Sequence, residues 1–364
     1  MKNERVRNIL SSFLLVPLFL FGQTADSLDS KNSFAVFPVI SYAPETSLQL
    51  GAVGILVLKK ESDSASGFNR QSSIAPLFIY TLKKQSIASI SIDNYFSNGQ
   101  NLVAKVRYFN FPDSYFGIGN SNDPDVSEKY TNSFFQIEGQ FLHPVNDRIF
   151  FGVAYDAHFT TLRKVIPGGL IDTDNPTGRE GGNLFGIGPA FRYDTRDYTI
   201  YPTEGYFISS RVVFNGIGDF SYARYVADFR KYISVVNKEN IIAFQFQTQL
   251  TFGSDVPFYK LPQLGGDERL RGIANASLYR DRQLAYTQVE YRRPLFWRFG
   301  MTVFAGVGDV AYDINDFNLP EFKYVVGVGG RLAIIPERKL NARLDIGLGR
   351  GGQTGIYIGV SEAF

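Results

Sequence analysis

His143 and His158 are the only histidines of this 364-residue chain and cysteine is absent, so thiolate nucleophiles, disulfides, Cys-ligated metals and multi-histidine sites are excluded. Oxygen donors cluster at Asp172-Thr173-Asp174-Asn175 and at Asp313-Ile314-Asn315-Asp316, a composition that could suit calcium. Neither run extends into the twelve-residue loop that closes with a Glu, and polar loops commonly read this way. No phosphate-binding glycine loop or G-x-S-x-G elbow occurs. A Ser-His-Asp set cannot be assembled from a His158 that points from a strand and a His143 at a turn. The chain reads as non-enzymatic, with no metal and no cofactor. Its remaining chemistry is charge, carried by Lys105, Arg107, Arg224, Arg230, Arg271 and Arg343 and by the carboxylates that answer them.

Those charges need a scaffold, and the composition narrows it. Lys plus Arg total 37 against 35 for Asp plus Glu, so the net charge of +2 gives no electrostatic reason to bind nucleic acid. Phe 33 and Tyr 21 stand against Met 2 and Trp 1, with 35 Gly and 44% hydrophobic residues, which suggests long strands in an unusual solvent. At the N-terminus Lys2, Arg5 and Arg7 precede an apolar run from Ile9 to Phe21, too short for the roughly 20 residues of a spanning helix. Residues 1–22 are therefore expected to be a signal peptide cut between Gly22 and Gln23, the alternative being an uncleaved anchor helix. No later stretch approaches a transmembrane helix in length, so an exported chain either dissolves or crosses a bilayer as a barrel.

Periodicity decides between these. Ile242, Phe244, Phe246, Leu250 and Phe252 fall on one parity and Gln245, Gln247, Gln249 and Thr251 on the other, the two-residue repeat of a strand. The same alternation sets Ala104, Val106 and Tyr108 against Lys105 and Arg107, Tyr225 and Phe229 against Arg224 and Arg230, and Leu344, Ile346 and Leu348 against Arg343 and Asp345. Many runs reach ten residues or more, the length at which a tilted strand crosses hydrocarbon with its apolar parity to lipid and its polar parity to a hydrated lumen. About sixteen such strands fit, so the expected fold is an all-β, transmembrane antiparallel barrel over residues 34–364, preceded by a short periplasmic segment, 23–33. Parity is ambiguous over 47–81 and 322–333. Tyr80, Tyr95, Phe96, Tyr115, Phe116, Tyr201, Phe258, Tyr259, Phe296 and Trp297 are expected in girdles at strand ends. With both termini periplasmic, the long connections near 110–129, 164–183, 253–281 and 310–321 fall outside, while 59–70 and 194–204 would be unusually long periplasmic turns. Ile356, Ile358 and Val360 share the parity of Phe364, a pattern expected to act as a C-terminal sorting signal read by the outer-membrane insertion machinery.

The connection 253–281 contains Leu264-Gly265-Gly266-Asp267-Glu268-Arg269-Leu270-Arg271-Gly272-Ile273. Here the chain resembles the BamA/TamA and TpsB superfamily, the bacterial surface antigen barrels, in which a V/L-R-G-F/Y motif on the sixth outer loop folds into a sixteen-stranded lumen. Leu270-Arg271-Gly272-Ile273 looks like that motif, with Ile in the usual aromatic position. Asp194-Thr195-Arg196-Asp197 with Pro202 and Gly205, and Phe116-Gly117-Ile118-Gly119-Asn120, are further family-like stretches. Arg271 is a permanently charged fork that needs a carboxylate in a narrow lumen, and Glu290, on the polar parity of the next strand, is the first candidate; the alternative is an exposed loop cation. The resemblance also implies F-x-D-x-G on the following strand, but Phe304-Ala305-Gly306-Val307-Gly308-Asp309 puts Gly306 at the Asp position and leaves Asp309, of opposite parity, as a substitute.

The resemblance implies a barrel of the protein or lipid translocation and assembly class. The expected partners are outer-membrane lipid and a periplasmic or surface protein, in place of the POTRA domains that usually guide such barrels. Gly347, Gly349, Gly351, Gly352, Gly355 and Gly359 either weaken the seam between first and last strands or serve turning and packing. The competing readings are a passive pore lined by Lys105, Arg107, Arg224, Arg230 and Arg343, and a structural anchor.

Overall fold

A computed structural model describes residues 32–43, 47–58, 70–236, 239–336 and 339–364; the expected leader and nearly all of 23–33 lie outside them. The described chain is a single meander. Its first half holds β1 (Ser33–Ala43), β2 (Ser47–Leu58), β3 (Ser72–Thr81), β4 (Ser86–Tyr95), β5 (Asn101–Tyr115), β6 (Glu128–Pro144), β7 (Ile149–Arg163) and β8 (Gly182–Asp194). The second half holds β9 (Gly205–Gly218), β10 (Tyr222–Val235), β11 (Asn240–Phe252), β12 (Gln283–Phe296), β13 (Phe299–Ala311), β14 (Lys323–Ile335), β15 (Leu340–Gly349) and β16 (Gln353–Val360). Each is hydrogen-bonded to the next in order from β1 to β16, giving the expected sixteen-stranded antiparallel barrel. No described helix is long and apolar enough to cross a membrane.

The two parities of each strand have opposite fates. On β15 Leu344, Ile346 and Leu348 point outward while Arg343 and Asp345 are buried. A soluble protein rarely exposes contiguous apolar surface on this scale, whereas lipid is the natural neighbour of such a wall. The ambiguous strands resolve for physical reasons. Over β2 and β3 the inward Ile55 and Val57 are apolar too, packing with Leu340, so contrast between the faces is lost. On β14 the outward face is Tyr324, Val326 and Val328, and the inward Gly327 and Gly329 are small because a Cβ there would strike the Phe304 ring and the Asp345 carboxylate.

Connections 116–127, 164–181, 253–282 and 312–322 share one end of the barrel and 195–204 lies at the other, while the expected long turn 59–70 falls almost wholly outside the described residues. The long-loop end is roofed by Tyr115, Tyr130, Ile171, Leu184, Phe220, Tyr222 and Phe258. The girdle expectation is corrected here: Tyr80, Phe96, Phe296 and Trp297 do face outward, but Tyr95, Tyr115 and Phe258 are buried. Tyr95 and Tyr115 lie on lumen-facing positions, and Phe258 belongs to a connection that folds inward. The expected C-terminal pattern is also interrupted. Ile356 and Ile358 face outward, but β16 stops at Val360, Ser361 takes φ +72°, and Phe364 turns into the lumen beside Tyr232, Ala243 and Arg292.

Candidate functional site

The site is the inward connection 253–282. Two 3-10 turns, Phe258–Lys260 and Ala276–Leu278, carry it across the lumen. Its first hold is on β7: the Lys260 ammonium lies 2.6 Å from Asp156, whose other oxygen accepts from Gln136 at 2.8 Å. Arg224 donates to the Lys260 carbonyl. Burial lowers the Lys260 pKa and Asp156 opposes that shift, so the pair is better regarded as a tether than as a large source of stability. Phe258, fully buried, packs edge-on against Tyr115 at 5.2 Å and Tyr130 at 5.8 Å.

The second hold lies across the lumen and is made by the Leu270-Arg271-Gly272-Ile273 motif. Arg271 is 0% exposed, with one terminal nitrogen on Glu290 of β12 and the other on Asp345 of β15. Its guanidinium sits 3.9 Å over the Phe304 ring, so the charge is held by two carboxylates and an aromatic face. Both carboxylates are shared. Glu290 also accepts from Arg292 at 2.9 Å, and Asp345 from Arg331 at 2.6 Å and Arg343 at 3.0 Å. Arg331 in turn donates to Glu362 at 2.7 Å. Backbone contacts complete the seat: the Tyr357 hydroxyl donates to the Ile273 carbonyl at 3.0 Å, and Gly272 takes φ +149° against Leu348. Gly347 has to be glycine for this, because a Cβ there would collide with the Arg271 carbonyl. Leu270 and Ile273 bury beside Leu264, Leu284, Tyr286, Val310 and Val325.

The sequence-predicted residues are therefore divided. Arg271 and Glu290 meet, and the exposed-cation alternative is excluded by burial. Asp309 does not join them: it accepts from Lys323 at 2.8 Å and from Asn120 at 3.4 Å. Its parity turns it away from the lumen side where Thr302 and Phe304 lie, and the long loops cover it at the rim. Asp345 takes the second-carboxylate role, which sequence reasoning missed although it had placed Asp345 on the polar parity. Gly306 leaves the space that Leu270 fills, since a Cβ there would collide with the Leu270 side chain.

The other polar residues are also engaged. Arg107 pairs with Glu138 at 2.7 Å, Arg230 with Asp228 at 2.6 Å and Arg343 with Asp345, while Lys105 faces Glu138 across the β5–β6 ladder. His143 contacts Gln100, and His158 stacks between Phe134 and Tyr259. Asp172 pairs with Arg179, and Asp313 and Asp316 form a capping box; among the described residues no cluster of three metal-ligating side chains occurs. The Phe116-Gly117-Ile118-Gly119-Asn120 stretch is a rib for the inward connection: Gly119 bridges Arg280 through reciprocal backbone hydrogen bonds of 2.7 and 3.3 Å.

BamA from Haemophilus ducreyi, in a structure lacking POTRA domains 1–3, superposes at TM-score 0.56 with 15% identity, covering 91% of this chain and 69% of that one. CdiB from Acinetobacter baumannii superposes at 0.56 with 12% identity, covering 91% of this chain but only 60% of its own length. These likenesses establish the barrel fold. No curated protein matches the sequence. The Omp85 superfamily domain matches residues 78–336, more than half of the chain, including Asp156, Lys260, Arg271, Glu290 and Phe304. The chain belongs to the Omp85 superfamily of outer-membrane β-barrels.

Proposed function

We propose that this barrel works in the assembly or translocation of outer-membrane proteins or lipids, non-enzymatically and with a partner, by opening at its wall rather than by conducting through its lumen. On this reading the long-loop end faces outward, the short-turn end faces the periplasm, and residues 1–22 direct export. The observation that carries it is the inward connection pinned at Lys260 and at Arg271 on opposite walls, under an aromatic roof, with the lumen cations largely paired. A passive pore needs an open, hydrated path, and Arg107, Arg230 and Arg343 already have carboxylate partners. The glycines near the last strands do not by themselves argue for a weak seam: Gly347 and Gly349 accommodate the motif, and Gly351 and Gly352 make a turn. What favours wall opening is that a fixed lumen leaves the junction of first and last strands as the place to move. Depleting the protein and profiling outer-membrane proteins and lipids tests the proposal; a selective loss is expected, and an unchanged profile would overturn it.

A further inference from the structure

The connection between β8 and β9, residues 195–204, lies at the short-turn end of the barrel and reaches from there to β2 and β15. Its base is a rigid knuckle built by the Asp194-Thr195-Arg196-Asp197 stretch. Arg196 chelates Asp194 at 2.8 and 2.9 Å, and Asp197 accepts backbone N–H groups of Tyr198, Thr203 and Glu204 at 3.0, 2.8 and 3.2 Å. Gly205 closes the knuckle at φ +107°, where a Cβ would strike the Thr195 carbonyl.

The tip of this turn touches residues far from it in the strand order. The half-buried Ile200 packs on the cluster of Ile55, Val57 and Leu340, which also gathers Ala35 of β1 and Val360 of β16. Thr199 donates to the Gln71 carbonyl at 3.3 Å on the β2–β3 side, and the Lys339 ammonium sits 3.7 Å over the Tyr198 ring on the β14–β15 side. The strands β8 and β9 lie half the circuit from β1 and β16, so these contacts do not come from chain neighbourhood. Between the turn and the segment 361–364 is a cavity of about 270 Å³ bordered by Thr199, Ile200, Pro202, Glu362 and Phe364.

We propose that residues 195–204 are a clasp that holds the first and last strands together from inside the lumen, Ile200 being the wedge, and that withdrawal of the clasp frees the seam. The regulatory part rests on the wall-opening reading given above; the clasp itself does not.

Because the chain has no cysteine, introduced pairs report cleanly. Ala35→Cys with Val360→Cys, treated with a bifunctional thiol reagent long enough to span the cluster, reads closure of the seam in membranes. The yield is expected to be high with Ile200 intact, to fall roughly tenfold with Ile200→Gly, and to recover with Ile200→Leu. An unchanged yield in Ile200→Gly, with unheated gel mobility showing a folded barrel, would overturn the clasp. Should Ile200→Gly fail to fold, Ile200→Cys with Val57→Cys tests docking in the folded protein: a disulfide under mild oxidation supports the clasp and its absence overturns it. The two readings separate cleanly. Loss of the crosslink in Ile200→Gly together with an unchanged profile on depletion keeps the clasp and removes the assembly role; the reverse pattern removes the clasp alone.

Discussion

Releasing the inward connection should require breaking both holds. Arg271→Ala removes two charge-assisted contacts and the stacking on Phe304. Breaking a buried pair costs about 3–5 kcal/mol when a charge is stranded, but Glu290 keeps Arg292 and Asp345 keeps Arg331 and Arg343. The lower end, about 3 kcal/mol, is therefore expected, a factor of roughly a hundred in the released population. Lys260→Met preserves the aliphatic stem and strands Asp156 with Gln136 as its hydrogen-bond donor, for a similar cost of about 3 kcal/mol. The two holds share no partner and lie on opposite walls, so their effects should add, giving a factor of roughly ten thousand in the double variant. Single-channel recording in planar bilayers reads this directly. The unsubstituted protein should be almost silent, each single variant should flicker rarely, and the double variant should conduct for sustained periods. A large steady opening in the unsubstituted protein, or an Arg271→Ala variant as open as the double, would refute the two-hold reasoning.

Other consequences are local. Gly347→Ala should unseat the motif through its collision with the Arg271 carbonyl, making the connection sensitive to added protease in intact cells while β15 remains folded. Gly306→Asp restores the acid that the family pattern implies but strikes Leu270, so it should destabilise the seat; unheated gels run at rising temperature should show earlier unfolding, and a later midpoint would contradict the packing argument. Asp345→Asn leaves Arg271, Arg331 and Arg343 short of one charge and should lower that midpoint markedly, by about 3–5 kcal/mol of stability. Asp309→Asn should leave the Arg271 seat unaltered and disturb only the contacts with Lys323 and Asn120, which the same protease assay distinguishes.

How much of this was legible in the sequence depended on contrast. Where lipid and water face opposite sides of one strand, as on β11 and β15, alternation gave the strand, its orientation and the lumen position of Arg343 together. It failed on β2 and β3 because Ile55 and Val57 form an apolar cluster inside the barrel, and on β14 because Gly327 and Gly329 make room for Phe304 and Asp345. The Arg271–Glu290 pair could be anticipated from parity and the need to neutralise a buried cation. Asp345 could not be paired with it, because that contact depends on curvature that brings β12 and β15 to the same loop. Nor could local pattern show that 195–204 turns inward or that Phe364 leaves the lipid-facing row, since Ile200 and Phe364 are held by residues far along the chain.

Complementation of a depleted strain tests the central claim most directly. Cells lacking the protein are supplied with either the unsubstituted chain or the Lys260→Met, Arg271→Ala double variant, and the outer-membrane protein and lipid profile is measured for each. The account predicts a selective deficit that the unsubstituted chain repairs and the double variant does not. A profile indifferent to the protein, or repaired equally by both, would contradict it.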